Sequence, residues 1–133
     1  MFLLNILMKL REYVLPNFTF VAPRDWDVVY GENFVEVYSP EGLAYFLALR
    51  LDNCSMDDFL KLFPSFKGFK REGDNFIVVD EVFEGKAGLK LLGKTCVGWI
   101  YYTYKGHLRE FESCFKTVVK TFRLTFPWYM GII

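Results

Sequence analysis

The sequence predicts an α+β fold in which a central antiparallel sheet is flanked by helices. Three observations predict it. Runs rich in β-branched and aromatic residues follow one another through tight turns, without the long crossovers that parallel strands need. One of these runs, residues 43–49, is apolar on both faces, so both sides of the sheet must be covered. Two segments carry helical periodicity, one in the middle of the chain and one near its end.

Taken in order, residues 2–14 read as an amphipathic first helix ended by Pro16, a segment spanning 1–16. A degenerate signal segment is the alternative, but the apolar start has no basic residue before it and no small-residue cleavage pattern after it. It is also too short to cross a bilayer. Residues 18–21 form a short strand closed by Pro23. Residues 26–30 and 34–38 suit a hairpin around Gly31-Glu32-Asn33, with Val35 and Val37 on one face and Glu36 on the other, wet one. Ser39-Pro40-Glu41-Gly42 is a turn, and the doubly covered strand 43–49 follows. Ser55 caps a helix, with Asp58 three residues on and Cys54 against Phe59 as a hydrophobic staple. Met56, Phe59, Leu60 and Phe63 make its apolar stripe, and Pro64 stops it.

Residues 66–74 read as a basic, glycine-punctuated connection, and 76–84 as a long strand turned by Gly85-Lys86. A second extended region, 87–104, is interrupted at Gly88, Gly93 and Gly98. After a turn at Lys105-Gly106, residues 107–113 return as a strand. Phe111, Phe115, Val118, Val119 and Phe122 mark the buried face of a closing helix, and Lys116, Lys120 and Arg123 its wet face. Residues 124–133 form an apolar tail.

A chain of 133 residues fits one domain. With 53% apolar residues and 15 phenylalanines, it favours a dense interior over disorder. Sixteen basic and 16 acidic side chains exclude the strongly basic character of a duplex-binding protein, so no nucleic-acid partner is expected. The first 66 residues carry five basic and nine acidic groups, the rest 11 and seven; strands from both halves sharing one sheet would mix that asymmetry. Three cysteines without C-x-x-C spacing argue against a disulfide framework and for a reducing, cytoplasmic location.

The segment Phe18-Thr19-Phe20-Val21-Ala22-Pro23-Arg24-Asp25-Trp26 resembles the strand, Pro, x, x, Trp opening of the PsbP/Mog-like superfamily. Tyr38-Ser39-Pro40 before a glycine turn fits the same pattern. So does the finish, Phe115-Lys116-Thr117-Val118-Val119-Lys120-Thr121-Phe122-Arg123, and these landmarks bracket residues 18–123. The resemblance implies an α-β-α sandwich. It also implies protein binding without catalysis, since members include a photosystem II extrinsic subunit and a nuclear transport protein that binds the Ran GTPase. It carries over no functional residue and no cofactor. The loop before the closing helix is nearly absent here, and the apolar segments before Phe18 and after Phe126 lie outside the pattern.

No phosphate-binding, dinucleotide, nucleophile-elbow or zinc-protease motif occurs, and a single histidine excludes a multi-histidine zinc site. His107, Glu110 and Cys114 could be read as a nucleophile set, but on a strand His107 and Cys114 would face opposite ways; a turn-flanking histidine and a buried thiol are the plainer reading. Cys54 near a helix start could be a lowered-pKa thiol, or simply the staple. Lys67, Lys70 and Arg71 with Phe66 and Phe69 look like a single-strand-binding segment, or a solvated loop anchored by two rings. Lys86, Lys90 and Lys94 read as charges guarding an edge strand. In the aromatic run, Trp99 and Tyr101 share one face, Tyr102 and Tyr104 the other, and one pair belongs to the core.

These readings converge on a non-catalytic protein-binding or docking module with no metal or cofactor. The candidate binding residues are Tyr102, Tyr104, Trp128, Tyr129 and Ile132. The tail either packs within the chain or makes a homo-oligomer or partner contact. A small-ligand-binding domain with an enclosed cavity and a weakly membrane-associated protein are the alternatives; the few charges of residues 2–15 make membrane association the lesser.

Overall fold

The architecture is that of a computed structural model, which describes residues 9–125. Among these residues, ten strands and two helices follow in the order β1 (Leu10–Val14), β2 (Phe18–Pro23), β3 (Asp27–Tyr30), β4 (Phe34–Tyr38), β5 (Ala44–Leu51), α1 (Met56–Leu60), β6 (Gly68–Glu72), β7 (Asn75–Val79), β8 (Phe83–Leu92), β9 (Thr95–Tyr104), α2 (Leu108–Thr121) and β10 (Arg123–Leu124). Seven strands form one antiparallel sheet in the order β3-β4-β5-β9-β8-β7-β6, and three form a small sheet, β1-β2-β10.

The alternation of β5 and β9 divides the core in two. Ala44, Phe46 and Ala48 with Val97, Trp99 and Tyr101 face α2 and β2, where they meet Phe18, Phe20, Phe115 and Phe122. Leu47, Leu49 and Ile100 face a second cluster built from Phe59 of α1, Phe66, Val78 and Ala87. α2 presents Phe111, Cys114, Phe115 and Val118 as its buried face. The Phe115 ring stacks on Tyr101 at 4.5 Å between centroids and 12° between planes. α1 is held differently. Ser55 Oγ accepts the Asp58 N–H at 3.2 Å, the expected cap. Its Phe59 lies directly over Gly98, where an added Cβ would sit 2.7 Å from the ring.

Several elements differ from the sequence expectation. Residues 10–14 of the expected first helix are strand β1, paired from Leu10↔Pro23 to Val14↔Thr19. Alternation places Tyr13 on Phe20, stacked at 5.3 Å, which a lone amphipathic helix could not do. Residues 1–8 of that expectation lie outside the described residues. The basic connection 66–74 contains strand β6, paired with β7 around Gly73 at φ +62°. The expected long strand 76–84 is cut at Asp80, whose carboxylate accepts the N–H groups of Lys67, Val82 and Phe83 and so folds the chain back. Gly85 and Lys86 are then ordinary positions of β8, and the turn falls at Gly93, φ +66°.

Residues 108–113, expected as a strand, open α2. His107 makes no side-chain cap there. Instead Glu84 of β8 accepts the N–H groups of Gly106 (2.6 Å) and Leu108 (3.4 Å), a cap supplied from 24 residues away in sequence.

Cys54 and Cys96 form a disulfide, which corrects the expectation of unpaired cysteines. The register explains it: Leu51 pairs with Cys96 across β5 and β9, so the chain leaving β5 passes Cys96 as it enters α1. The bond closes a sequence separation of 42 residues and, with Phe59 over Gly98, pins α1 to the sheet.

Two stability outcomes follow. Phe115→Ala removes a ring with 0% exposure and lowers the unfolding free energy by about 3–5 kcal/mol, whereas exposed Lys116→Ala changes it by less than about 0.5 kcal/mol; urea titrations compare them. Replacing both Cys54 and Cys96 by Ser lowers it by about 2–4 kcal/mol, and dithiothreitol reproduces that loss in the natural chain but not in the double variant.

Candidate docking face, a tyrosine and carboxylate ladder

Residues paired across strands share a face, so the register assembles the second face of the main sheet from several separate runs. Tyr38, Tyr45 and Tyr102 stand in one row, paired Tyr38↔Tyr45 and Tyr45↔Tyr102. Asp27 lies beside Tyr38, and Glu36 and Val29 stand in the next row but one. The rings form a ladder, with centroids 6.5 Å apart for Tyr38 and Tyr45, 5.1 Å for Tyr45 and Tyr102, 5.3 Å for Tyr102 and Phe83, and 5.0 Å for Phe83 and Tyr104. Tyr102 is matched on β8 by Gly85, whose missing side chain leaves room for the ring between Phe83 and Phe66, the latter at 4.9 Å.

Toward β6 this face is sealed by Phe59, Phe66 and Val78. Toward β3 it opens. Tyr104 is 45% and Val29 41% exposed, and Glu36, Tyr38, Tyr45 and Tyr102 are half-buried. The Tyr45 hydroxyl donates to Glu36 Oε2. Burial, reinforced by that carboxylate, holds Tyr45 neutral far above the ordinary tyrosine range. Burial and then Glu36 raise Tyr102 in the same way. The face therefore offers neutral phenols around a fixed carboxylate.

Of the residues singled out in the sequence, Tyr102 and Tyr104 lie on this ladder, while Trp99 and Tyr101 belong to the core under α2. Trp128, Tyr129 and Ile132, and the homo-oligomer contact expected of them, fall outside the described residues. Tyr38, Tyr45 and Glu36 were not singled out. Glu36 alone on a wet face was the available signal, and only the pairing of β4 with β5 joins it to Tyr45.

The remaining candidates do not assemble. His107 stands at the N-cap position of α2 and Cys114 lies within it, so the strand on which they would face opposite ways does not form, and seven residues of helical rise separate them by ~10 Å along the axis. Cys114 is buried, and burial pushes its thiol up, away from nucleophile character. His107 Nδ1 lies 3.4 Å from Glu110 Oε1 at the helix start. Cys54 is in the disulfide and cannot be a low-pKa thiol. Lys86 is no edge guard: β8 is flanked by β7 and β9, and Lys86 Nζ sits 3.0 Å from Glu112 Oε2, which also accepts Tyr101 Oη at 3.1 Å. Among the described residues there is no cluster of metal-ligating side chains and no helix long and apolar enough to cross a membrane.

The buried phenols give the protein an alkaline limit. An unfolded tyrosine ionises near pH ~10, while Tyr45 stays protonated when folded, so stability falls as pH climbs past that value. In Tyr45→Phe this slope is reduced. Urea unfolding between neutral pH and pH ~11 should show the natural chain losing its advantage over the variant, about 1 kcal/mol, as alkali is added.

No protein-family model and no curated protein matches the chain. Several solved structures do. The solution structure of cyanobacterial PsbP (CyanoP) from Synechocystis sp. PCC 6803 superposes with a TM-score of 0.56 at 12% identity, over 89% of this chain and 94% of that one. A crystal structure from Bacteroides thetaiotaomicron VPI-5482 gives a TM-score of 0.53 at 14% identity over 86% of this chain; the chain spans about half (48%) of that protein's length. At such identities the likeness is one of fold, and the fold is PsbP-like, an α+β arrangement dominated by antiparallel sheet.

Proposed function

We propose that the protein is a non-catalytic docking module that receives a basic segment of a partner protein on the tyrosine and carboxylate ladder. The observation that carries this reading is the composition of the open end of that face. Tyr38, Tyr45, Tyr102 and Tyr104 are presented with Asp27 and Glu36, and no Lys or Arg occupies a strand position on this face of β3, β4, β5 or β9. Tyrosines held rigid by strand pairing give large contact area at small entropic cost, and Arg or Lys side chains stack on such rings and pair with carboxylates. Tyr104, the most exposed ring of the ladder, packs on Phe83 at 5.0 Å, which holds it in place for a partner.

The finer placing in the PsbP/Mog-like α-β-α class belongs to this reading. α2 covers one face and the short α1 covers part of the other, leaving the tyrosine end open. The Cys54–Cys96 bond favours an oxidising compartment over the cytoplasm expected from the cysteine count.

The test is a pull-down from native lysate with mass spectrometry, run in parallel on the natural chain, a Tyr38→Ala/Tyr104→Ala variant and a Lys67→Ala control. A partner should be enriched by the natural chain and the control. The double variant should bind it about 30-fold more weakly, the loss of a 2 kcal/mol anchor, and added salt should weaken the natural complex. Equal recovery by all three proteins refutes the proposal.

A further inference from the structure

The described residues hold a second feature on the opposite side of the molecule, an open groove of about 1310 Å³ between the tip of the β8–β9 hairpin and the C-terminal end of α2. It exists because β7 begins at Asn75, opposite the middle of β8. From Leu89 onward that strand has no neighbour on its outer edge. The groove wall on the face shared with Lys90 is hydrocarbon: Leu92, Trp99, Val119 and Leu124.

Its rim is cationic. Lys90, Lys94, Lys120 and Arg123 line it, and no carboxylate does. Lys90 Nζ donates to the carbonyls of Val119 and Lys120, and Arg123 Nη1 to those of Lys120 and Phe122, so the end of α2 fixes both cations in place. None of the four is in an ion pair among the described residues. Burial and the nearby Arg123 bring Lys90 down to about 8, as expected of positive charge crowded without a counter-ion.

We propose that this groove binds a single-chain amphiphile with an anionic headgroup, its hydrocarbon chain on the leucine wall and its carboxylate at the cationic rim. A rim charged with one sign beside an apolar wall suits neither a neutral hydrocarbon nor a simple inorganic anion. The volume exceeds the roughly 300–1,000 Å³ of compact ligand pockets, which suits an elongated guest. The site shares no residue with the tyrosine ladder, so the two proposals stand or fall separately.

Isothermal titration of the full chain with dodecanoate, dodecanol and dodecyltrimethylammonium, each below its micellar concentration, tests it. Dodecanoate should bind saturably, one per chain, about tenfold or more tighter than dodecanol, and the ammonium should not bind. Lys94→Glu/Lys120→Glu reverses two exposed rim charges and should abolish the preference for dodecanoate without moving the melting temperature, while Lys67→Glu/Lys70→Glu, on β6 and the loop before it, should leave it intact. Inorganic phosphate should not compete. Equal binding of all three amphiphiles, or an unchanged preference after rim reversal, overturns the proposal. So does the absence of saturable binding by dodecanoate.

Discussion

Strand β9 is buried on both faces, and the register it sets is the constraint on which the rest of the structure depends. Val97, Trp99 and Tyr101 point to α2, while Ile100 and Tyr102 point to the Phe59–Phe66 cluster. A one-residue slip against β5 would exchange these sets and drive Tyr101 away from the Phe115 ring on which it stacks. It would also remove Gly98 from beneath Phe59 and separate Cys96 from Cys54. Two hydrophobic clusters, a disulfide and a close helix approach thus all select one alignment. The tyrosine ladder is a consequence of that alignment, since Tyr38, Tyr45 and Tyr102 become neighbours only when β4, β5 and β9 are paired as they are.

What could be read from the sequence divides by the range of the interaction responsible. Period-two alternation marked β4, a β-rich run closed by Pro23 marked β2 and a run apolar on both faces marked β5, and the Ser55 cap and the apolar stripe of α2 were equally local signals. The failures share a cause. Asp80 cuts a strand by accepting N–H groups that include that of Lys67, 13 residues earlier, and Glu84 starts α2 from the middle of the sheet. Neither bond leaves a mark in the residues whose conformation it decides. The first segment misled for a related reason. Its apolar residues satisfy a helical pattern, but pairing with β2 satisfies the backbone of Leu10–Val14 instead. Cysteine parity failed in the same way, because an odd count says nothing about which two residues a strand register brings together.

The candidate site was legible only in part, for the same reason. Alternation placed Tyr102 and Tyr104 on one face and Trp99 and Tyr101 on the other, and core membership followed for one pair. Phe83 of β8 packs on both Tyr102 and Tyr104 from across the β8–β9 hairpin, but Tyr45 and Tyr38 come from β5 and β4, more than fifty residues before Tyr102, and no periodicity within β9 could announce them.

Charge makes the same point at the scale of the whole molecule. The chain is neutral, with an acidic first half and a basic second half, and mixing within one sheet was the expectation. Within the main sheet, strand order prevents it. β3, β4 and β5 come from the first half and occupy one side; β9, β8, β7 and β6 come from the second and occupy the other; β5 and β9 meet at a single seam. Asp27 and Glu36 therefore stay at the tyrosine end, and Lys90 and Lys94 gather at the hairpin beside Lys120 and Arg123. Complete pairing between strands of opposite halves would have placed carboxylates across from these lysines and cancelled both patches. Because only one seam joins the halves, a chain of zero net charge keeps an acidic face and a basic groove, and each can select a partner of opposite sign at separations where screening by salt is incomplete.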